Sequence, residues 1–311
     1  MTKAFVFPGQ GSQAVGMGQE LAAAFPVAKQ VFEQVDEALG QKLSKLMFEG
    51  PVEDLTLTAN AQPALMAVSL AIMRVLETEG GLDLGKAAKY VAGHSLGEYS
   101  ALTAAKAIGI ADAARVLKTR GTAMQEAVPV GEGTMAAIMG VEMDVAEEIA
   151  AEAAQGEVCT AANDNAPGQI VLSGATAAVE RAVAIAAEKG AKRSILLPVS
   201  APFHCAMMAP AADVMAKDLA ALLIDEPMAP VVANVSAEAA SAPDEIRRLL
   251  VEQVTSRVRW RESVLYMKDN GVDTFVEIGA GKVLTGLARR IDRDLIGISI
   301  QTPADIEEFL K

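Results

Sequence analysis

Gly93-His94-Ser95-Leu96-Gly97 is a G-x-S-x-G pentapeptide between an apolar run at 89–92 and an amphipathic segment. A strand turning sharply into a helix needs small residues on either side of the turn, and the serine hydroxyl then projects at the helix N-terminus. Unpaired N–H groups gather there, so the Leu96 amide is a natural donor to a developing oxyanion. The bland alternative is a serine that merely caps the helix. Nucleophilic chemistry needs a base that titrates near neutral pH, usually histidine. The chain offers two histidines. His94 adjoins Ser95 and points elsewhere at a turn, so it is expected to pack or hydrogen-bond behind the elbow. That leaves His204, in Ser200-Ala201-Pro202-Phe203-His204-Cys205, where Pro202 interrupts regular structure. The third member of a triad stays open. No acid lies within ten residues upstream of His204, the nearest downstream is Asp213, and a backbone carbonyl can also orient an imidazole.

Other segments point to the same sheet edge. Pro8-Gly9-Gln10-Gly11-Ser12-Gln13 follows the first strand, where open parallel sheets bind ligands and glycines let amides approach an oxyanion. It lacks G-x-G-x-x-G spacing, and there is no Walker lysine, so neither a dinucleotide nor a P-loop fingerprint is present. Gly279-Ala280-Gly281 is a further turn after a strand. Arg120, in Lys118-Thr119-Arg120-Gly121, reads by itself as a cation near a helix C-terminus. Two cysteines and two histidines, with no C-x-x-C or H-E-x-x-H, argue against a metal site.

The elements that must position these residues form an α/β pattern. Apolar β-branched runs at 3–7 and 89–92 alternate with helices at 63–79, about 96–107 and 111–127. Gly131-Glu132-Gly133 then marks a break. Strand 134–139, helix 144–154, strand 157–162, a turn cluster at Asn163-Asp164-Asn165-Ala166-Pro167-Gly168, strand 169–173, helix 177–189 and strand 193–197 follow. That βαββαβ order is the ferredoxin-like split unit. Strands near 230–235, 273–278 and 295–299 resume the alternation. The expected fold is a hydrolase-like, mainly parallel sheet domain (1–127 and 199–311) carrying an inserted ferredoxin-like subdomain (128–198), a split in keeping with 311 residues. With 40 Asp+Glu against 27 Lys+Arg the net charge is −13. Nucleic acid and anionic membrane surfaces are therefore not expected partners. No secretory or membrane-spanning run is found, and two cysteines make no disulfide framework, so a cytoplasmic protein is expected.

Taken in this order and spacing, the segments resemble the malonyl-CoA:acyl carrier protein transacylase family of fatty acid synthesis. The resemblance covers essentially the whole chain. It rests on Phe7-Pro8-Gly9-Gln10-Gly11-Ser12-Gln13, Gly93-His94-Ser95-Leu96-Gly97-Glu98-Tyr99, the Arg120 segment, Asn163-Asp164-Asn165 with Pro167-Gly168-Gln169, Pro202-Phe203-His204 and Glu277-Ile278-Gly279-Ala280-Gly281. It implies that Ser95 carries the acyl group and His204 is its base. It implies an oxyanion hole from the Gln10 and Leu96 amides, Arg120 on the malonyl carboxylate, and the Gln253 carbonyl orienting the histidine. Phe203 departs from the serine carried there by many bacterial members, a feature that would crowd an α-methyl group. Malonyl-CoA and holo acyl carrier protein would be the partners of a monomeric enzyme without a resident cofactor or metal. The carrier is typically acidic, so docking calls for a local basic surface: Lys189, Lys192 and Arg193, or Arg257, Arg259 and Arg261. A serine hydrolase, a non-catalytic subunit of the same fold, and a transferase with another extender such as methylmalonyl are the competing readings.

Overall fold

Ala4, Phe5, Val6 and Phe7 are all fully buried, as a central strand of a parallel sheet requires. Successive side chains point to opposite faces. Phe5 and Phe7 join the large core beneath one face, whereas Ala4 and Val6 pack on the other with Trp260, Phe275 and Leu284. Each large side chain buried in this way contributes about 1.5–3 kcal/mol. The computed structural model describes residues 1–311.

Ten strands are present: β1 (Lys3–Phe7), β2 (Ala88–Gly93), β3 (Gly133–Met139), β4 (Cys159–Ala166), β5 (Gln169–Ala175), β6 (Arg193–Leu196), β7 (Val231–Val232), β8 (Ala239–Ala240), β9 (Thr274–Ile278) and β10 (Ile296–Ile300). The first sheet has the order β10-β9-β1-β2-β7-β8 and is parallel except for β8. Its carboxyl edge gathers the turns after Phe7, Gly93 and Ile278, the three expected to build a site. The second sheet, β4-β5-β3-β6, is antiparallel. Helices Met143–Ala154 and Thr176–Glu188 cover it, and Ile138, Ile149, Leu172 and Val179 help form its separate core. With β3 central, this is the ferredoxin-like arrangement expected from the element order.

Three local expectations are corrected. Asn163-Asp164-Asn165 is not a turn but the end of β4; only Pro167 and Gly168 turn. Asn and Asp favour turns because their side chains compete for nearby backbone, yet here Asn165 bonds His94 and Asp164 pairs with Arg261. The strand near 230–235 shrinks to Val231–Val232, because the chain turns beyond it and sends the Asn234 side chain into the site. The helix expected from 63 begins at Thr58 and keeps Pro63 inside it. That helix, Thr58–Thr78, is also long and apolar enough to cross a membrane, but 83% of its apolar window is buried within the fold. It is a core helix.

Candidate active site

The nucleophile turn follows from steric necessity. A Cβ on Gly93 would lie 1.9 Å from the Gly97 carbonyl, and one on Gly97 would lie 2.2 Å from the Phe7 oxygen. Only glycine lets β2 turn this tightly into helix Leu96–Ala104 against β1. Ser95, between them, is forced to φ 54° and ψ −110°. A non-glycine residue held there costs on the order of 1–3 kcal/mol, so surrounding bonds must impose it. Asn234 supplies them. Its Oδ1 accepts from Ser95 N–H at 2.7 Å and its Nδ2 donates to the Gly93 carbonyl at 2.7 Å.

His204 sits on the irregular segment after Pro202, with φ 59°. Its Nε2 is 2.8 Å from Ser95 Oγ, and its Nδ1 is 2.9 Å from the Gln253 carbonyl oxygen. A carbonyl only accepts, so Nδ1 carries the proton and the Nε2 lone pair faces the serine hydroxyl. The open third position is thus filled by backbone rather than a carboxylate. Burial, reinforced by the Arg120 charge, pushes the imidazole down to about 3. The charged form is disfavoured and the imidazole stays neutral across the physiological range. The expected consequence is that in Glu98→Gln, which removes the buried carboxyl standing at about 7 beside this network, acylation of Ser95, followed by rapid quench, varies less than about twofold between pH 8 and pH 5. A base titrating at its ordinary 6.5 would lose about thirtyfold over that interval. A midpoint near 6.5 would contradict the burial argument.

Arg120 lies on helix Ile110–Glu126 and is 1% exposed, so it is not a cation merely placed near a helix end. Its Nη1 donates to Gln62 Oε1 at 2.8 Å. Its Nη2 reaches Gln253 Oε1 at 2.8 Å and Ser95 Oγ at 3.1 Å. The Tyr99 ring lies 5.5 Å from the guanidinium carbon. His94 does pack behind the elbow, as expected. Its Nε2 donates to Asn165 Oδ1 at 2.8 Å, its ring leans on Trp260, and burial lowers its pKa.

Gln10, Ser95, Leu96, Arg120, Phe203 and His204 line one cleft of about 410 Å³. The backbone N–H groups of Gln10 and Leu96 donate to no protein acceptor. Free donors beside a serine–histidine pair and a buried guanidinium are the equipment for acyl transfer with an anionic acyl group. No group of three or more His, Cys, Asp or Glu side chains is arranged to hold a metal ion.

A family model described as an acyl transferase domain matches residues 4–294. The malonyl CoA-acyl carrier protein transacylase of Escherichia coli (strain K12) is 47% identical over 308 residues, covering 99% of this chain and 98% of that one. The chain belongs to the malonyl CoA-acyl carrier protein transacylase family. Two solved structures agree. An acyl-carrier-protein-S-malonyltransferase from Bartonella henselae is 55% identical with a TM-score of 0.98, covering 100% of this chain and 98% of that one. A malonyl-transacylase in complex with its type II PKS acyl-carrier protein is 44% identical with a TM-score of 0.96, covering 100% and 99%.

Within this transacylase fold, the expected site residues all converge, and three unexpected ones join them. Asn234 fixes the elbow and Gln62 holds Arg120. Glu98, 1% exposed, accepts from Asn234 N–H and from Gln253 Nε2, both at 2.9 Å. Burial pushes its carboxyl up to about 7. Glu98 stood in the elbow segment, but nothing in the sequence marked Gln62 or Asn234. Their partners lie 58 and 139 residues away, and no spacing pattern reports such contacts.

Proposed function

We propose that this chain moves malonyl from malonyl-CoA to the phosphopantetheine thiol of acyl carrier protein through a malonyl-Ser95 intermediate, supplying fatty acid elongation. The carrying observation is that Ser95 Oγ lies 2.8 Å from the base Nε2 and 3.1 Å from Arg120 Nη2. The Arg120 fork takes the free carboxylate of malonyl, one methylene away from the thioester carbonyl. His204 Nε2 accepts the Ser95 proton as Oγ attacks that carbonyl. The tetrahedral oxyanion rests on the Gln10 and Leu96 amides, the C–S bond breaks, and the CoA thiolate takes the proton from His204. The carrier thiol then repeats the cycle in reverse, giving ping-pong kinetics. Phe203, buried against the cleft, narrows the space for an α-methyl group and favours malonyl over methylmalonyl. No resident cofactor or metal enters this scheme.

Residues 1–127 with 199–311 form the catalytic domain in this reading, and 128–198 the inserted subdomain. The enzyme works as a cytoplasmic monomer without nucleic-acid or membrane partners. Both cysteines are free and buried, which suits a reducing compartment.

Docking draws on charge that the protein itself leaves unpaired. Lys189 is paired with Glu148 and Glu152, Arg257 with Glu147, Arg259 with Glu262, and Arg261 with Asp164. Those four candidates are neutralised. Lys192 and Arg193 remain, joined by exposed Arg289, Arg290 and Arg293. Arg290 Nε donates to the Pro167 carbonyl, two residues beyond Asn165 at the cleft. An acidic carrier would meet its counter-charge here. Lys192→Glu with Arg290→Glu should raise the carrier-protein KM at least about fivefold, about 1 kcal/mol, and leave the malonyl-CoA KM within about twofold. An unchanged carrier KM would remove this surface from the account.

Steady-state transfer with both substrates tests the function itself. Parallel double-reciprocal lines and malonyl-loaded carrier are expected. Consumption of malonyl-CoA to free malonate at the same rate without carrier would mean a hydrolase instead.

A further inference from the structure

Arg120 is a buried cation whose fork meets no carboxylate. Both nitrogens that are engaged on the protein's amides face neutral oxygens, those of Gln62 and Gln253, while its Nε donates to nothing. Glu98 is equally buried, and it lies on the other side of Gln253. The Gln253 Nε2 donates to Glu98 Oε2 at 2.9 Å and to the Ser95 carbonyl at 3.1 Å, while its Oε1 accepts from Arg120. Two opposite charges sharing a dry site attract strongly and would close on one another if nothing stood between them.

We propose that the Gln253 side chain is a positioning spacer that keeps Glu98 from pairing with Arg120, reserving the guanidinium for an acyl carboxylate. An amide suits this place because it offers donors at one end and an acceptor at the other. The Ser95 carbonyl can only accept, Glu98 Oε2 already accepts from Asn234 N–H, and a guanidinium can only donate, so the NH2 end faces Ser95 and Glu98 and the oxygen faces Arg120. The same residue's backbone carbonyl holds His204. One glutamine therefore sets the base through its main chain and the carboxylate partner through its side chain. Glu98 supports the separation. Its carboxyl stands above its ordinary value despite the nearby cation, whereas a direct ion pair would depress it. This inference rests on the reading of Arg120 as the partner of the malonyl carboxylate.

Gln253→Glu tests it, since that carboxylate would lie directly on Arg120 while the backbone carbonyl persists. The malonyl-to-acetyl ratio of kcat/KM should fall at least about tenfold, mainly through a higher KM for malonyl-CoA. Because two acids would then face each other, Gln253→Glu with Glu98→Gln is the companion variant. It should recover the thermal midpoint but keep the low ratio. An unchanged ratio in Gln253→Glu, or recovery of the ratio together with the midpoint in the double variant, would overturn the spacer role. Arg120→Ala separates the two levels. If it lowers malonyl and acetyl transfer equally, the Arg120 reading itself fails. If Arg120→Ala is selective and Gln253→Glu is not, only the spacer fails.

Discussion

Replacing His204 with alanine should slow acylation of Ser95 by about a thousandfold, within the range that general-base catalysis contributes. A neutral hydroxyl is a poor nucleophile, and no other side chain is placed to take its proton. His94, the one alternative imidazole, has its Nε2 committed to Asn165. The loss should fall on kcat, because in the proposed scheme the malonyl carboxylate is held by Arg120 and not by the base. Histidine already bears the left-handed strain at φ 59°, but alanine takes the Nδ1–H donor from the buried Gln253 carbonyl, a loss of about 1–3 kcal/mol, so a thermal melt should accompany the kinetics. A folded His204→Ala protein that acylates at the wild-type rate would contradict the assignment.

The second large effect is expected at Arg120. Its planar guanidinium can engage a carboxylate through two parallel bonds, which a lysine ammonium cannot do. Arg120→Ala should reduce the malonyl-to-acetyl ratio of kcat/KM by roughly 10- to 100-fold, the equivalent of about 1.5–3 kcal/mol for one charge-assisted contact. Removal also strands the buried Gln62 and Gln253 oxygens, at about 1–3 kcal/mol for each unsatisfied group. A lower melting temperature is therefore expected alongside the lost selectivity. Arg120→Lys should keep some stability and recover little selectivity. Equal losses for malonyl and acetyl transfer would show that the guanidinium serves the fold rather than the acyl group.

What could be read from the sequence follows a physical division. Ser95 was legible because its requirement is local: a five-residue turn with glycines where any Cβ would strike backbone. His204 was legible by scarcity, since the other histidine sits in the wrong place. The ferredoxin-like unit showed itself in the alternation of strand and helix periods. Arg120 was not legible from its own surroundings, because a cation two turns before a helix end looks the same whether solvated or buried. The family resemblance, not the local pattern, singled it out. Gln62, Asn234 and the Gln253 side chain act across long stretches of chain, so their roles exist only once the sheet edge is assembled. The misjudged turn at Asn163-Asp164-Asn165 has the same origin: residues with turn chemistry were claimed by distant partners, and β4 could continue through them.

The most direct measurement is to incubate the protein with labelled malonyl-CoA alone, quench in acid, digest, and map the label by mass spectrometry. The account predicts a single malonyl adduct on the peptide containing Ser95, discharged by holo acyl carrier protein and absent from Ser95→Ala. Malonyl on another residue, or turnover with no covalent adduct at all, would contradict it.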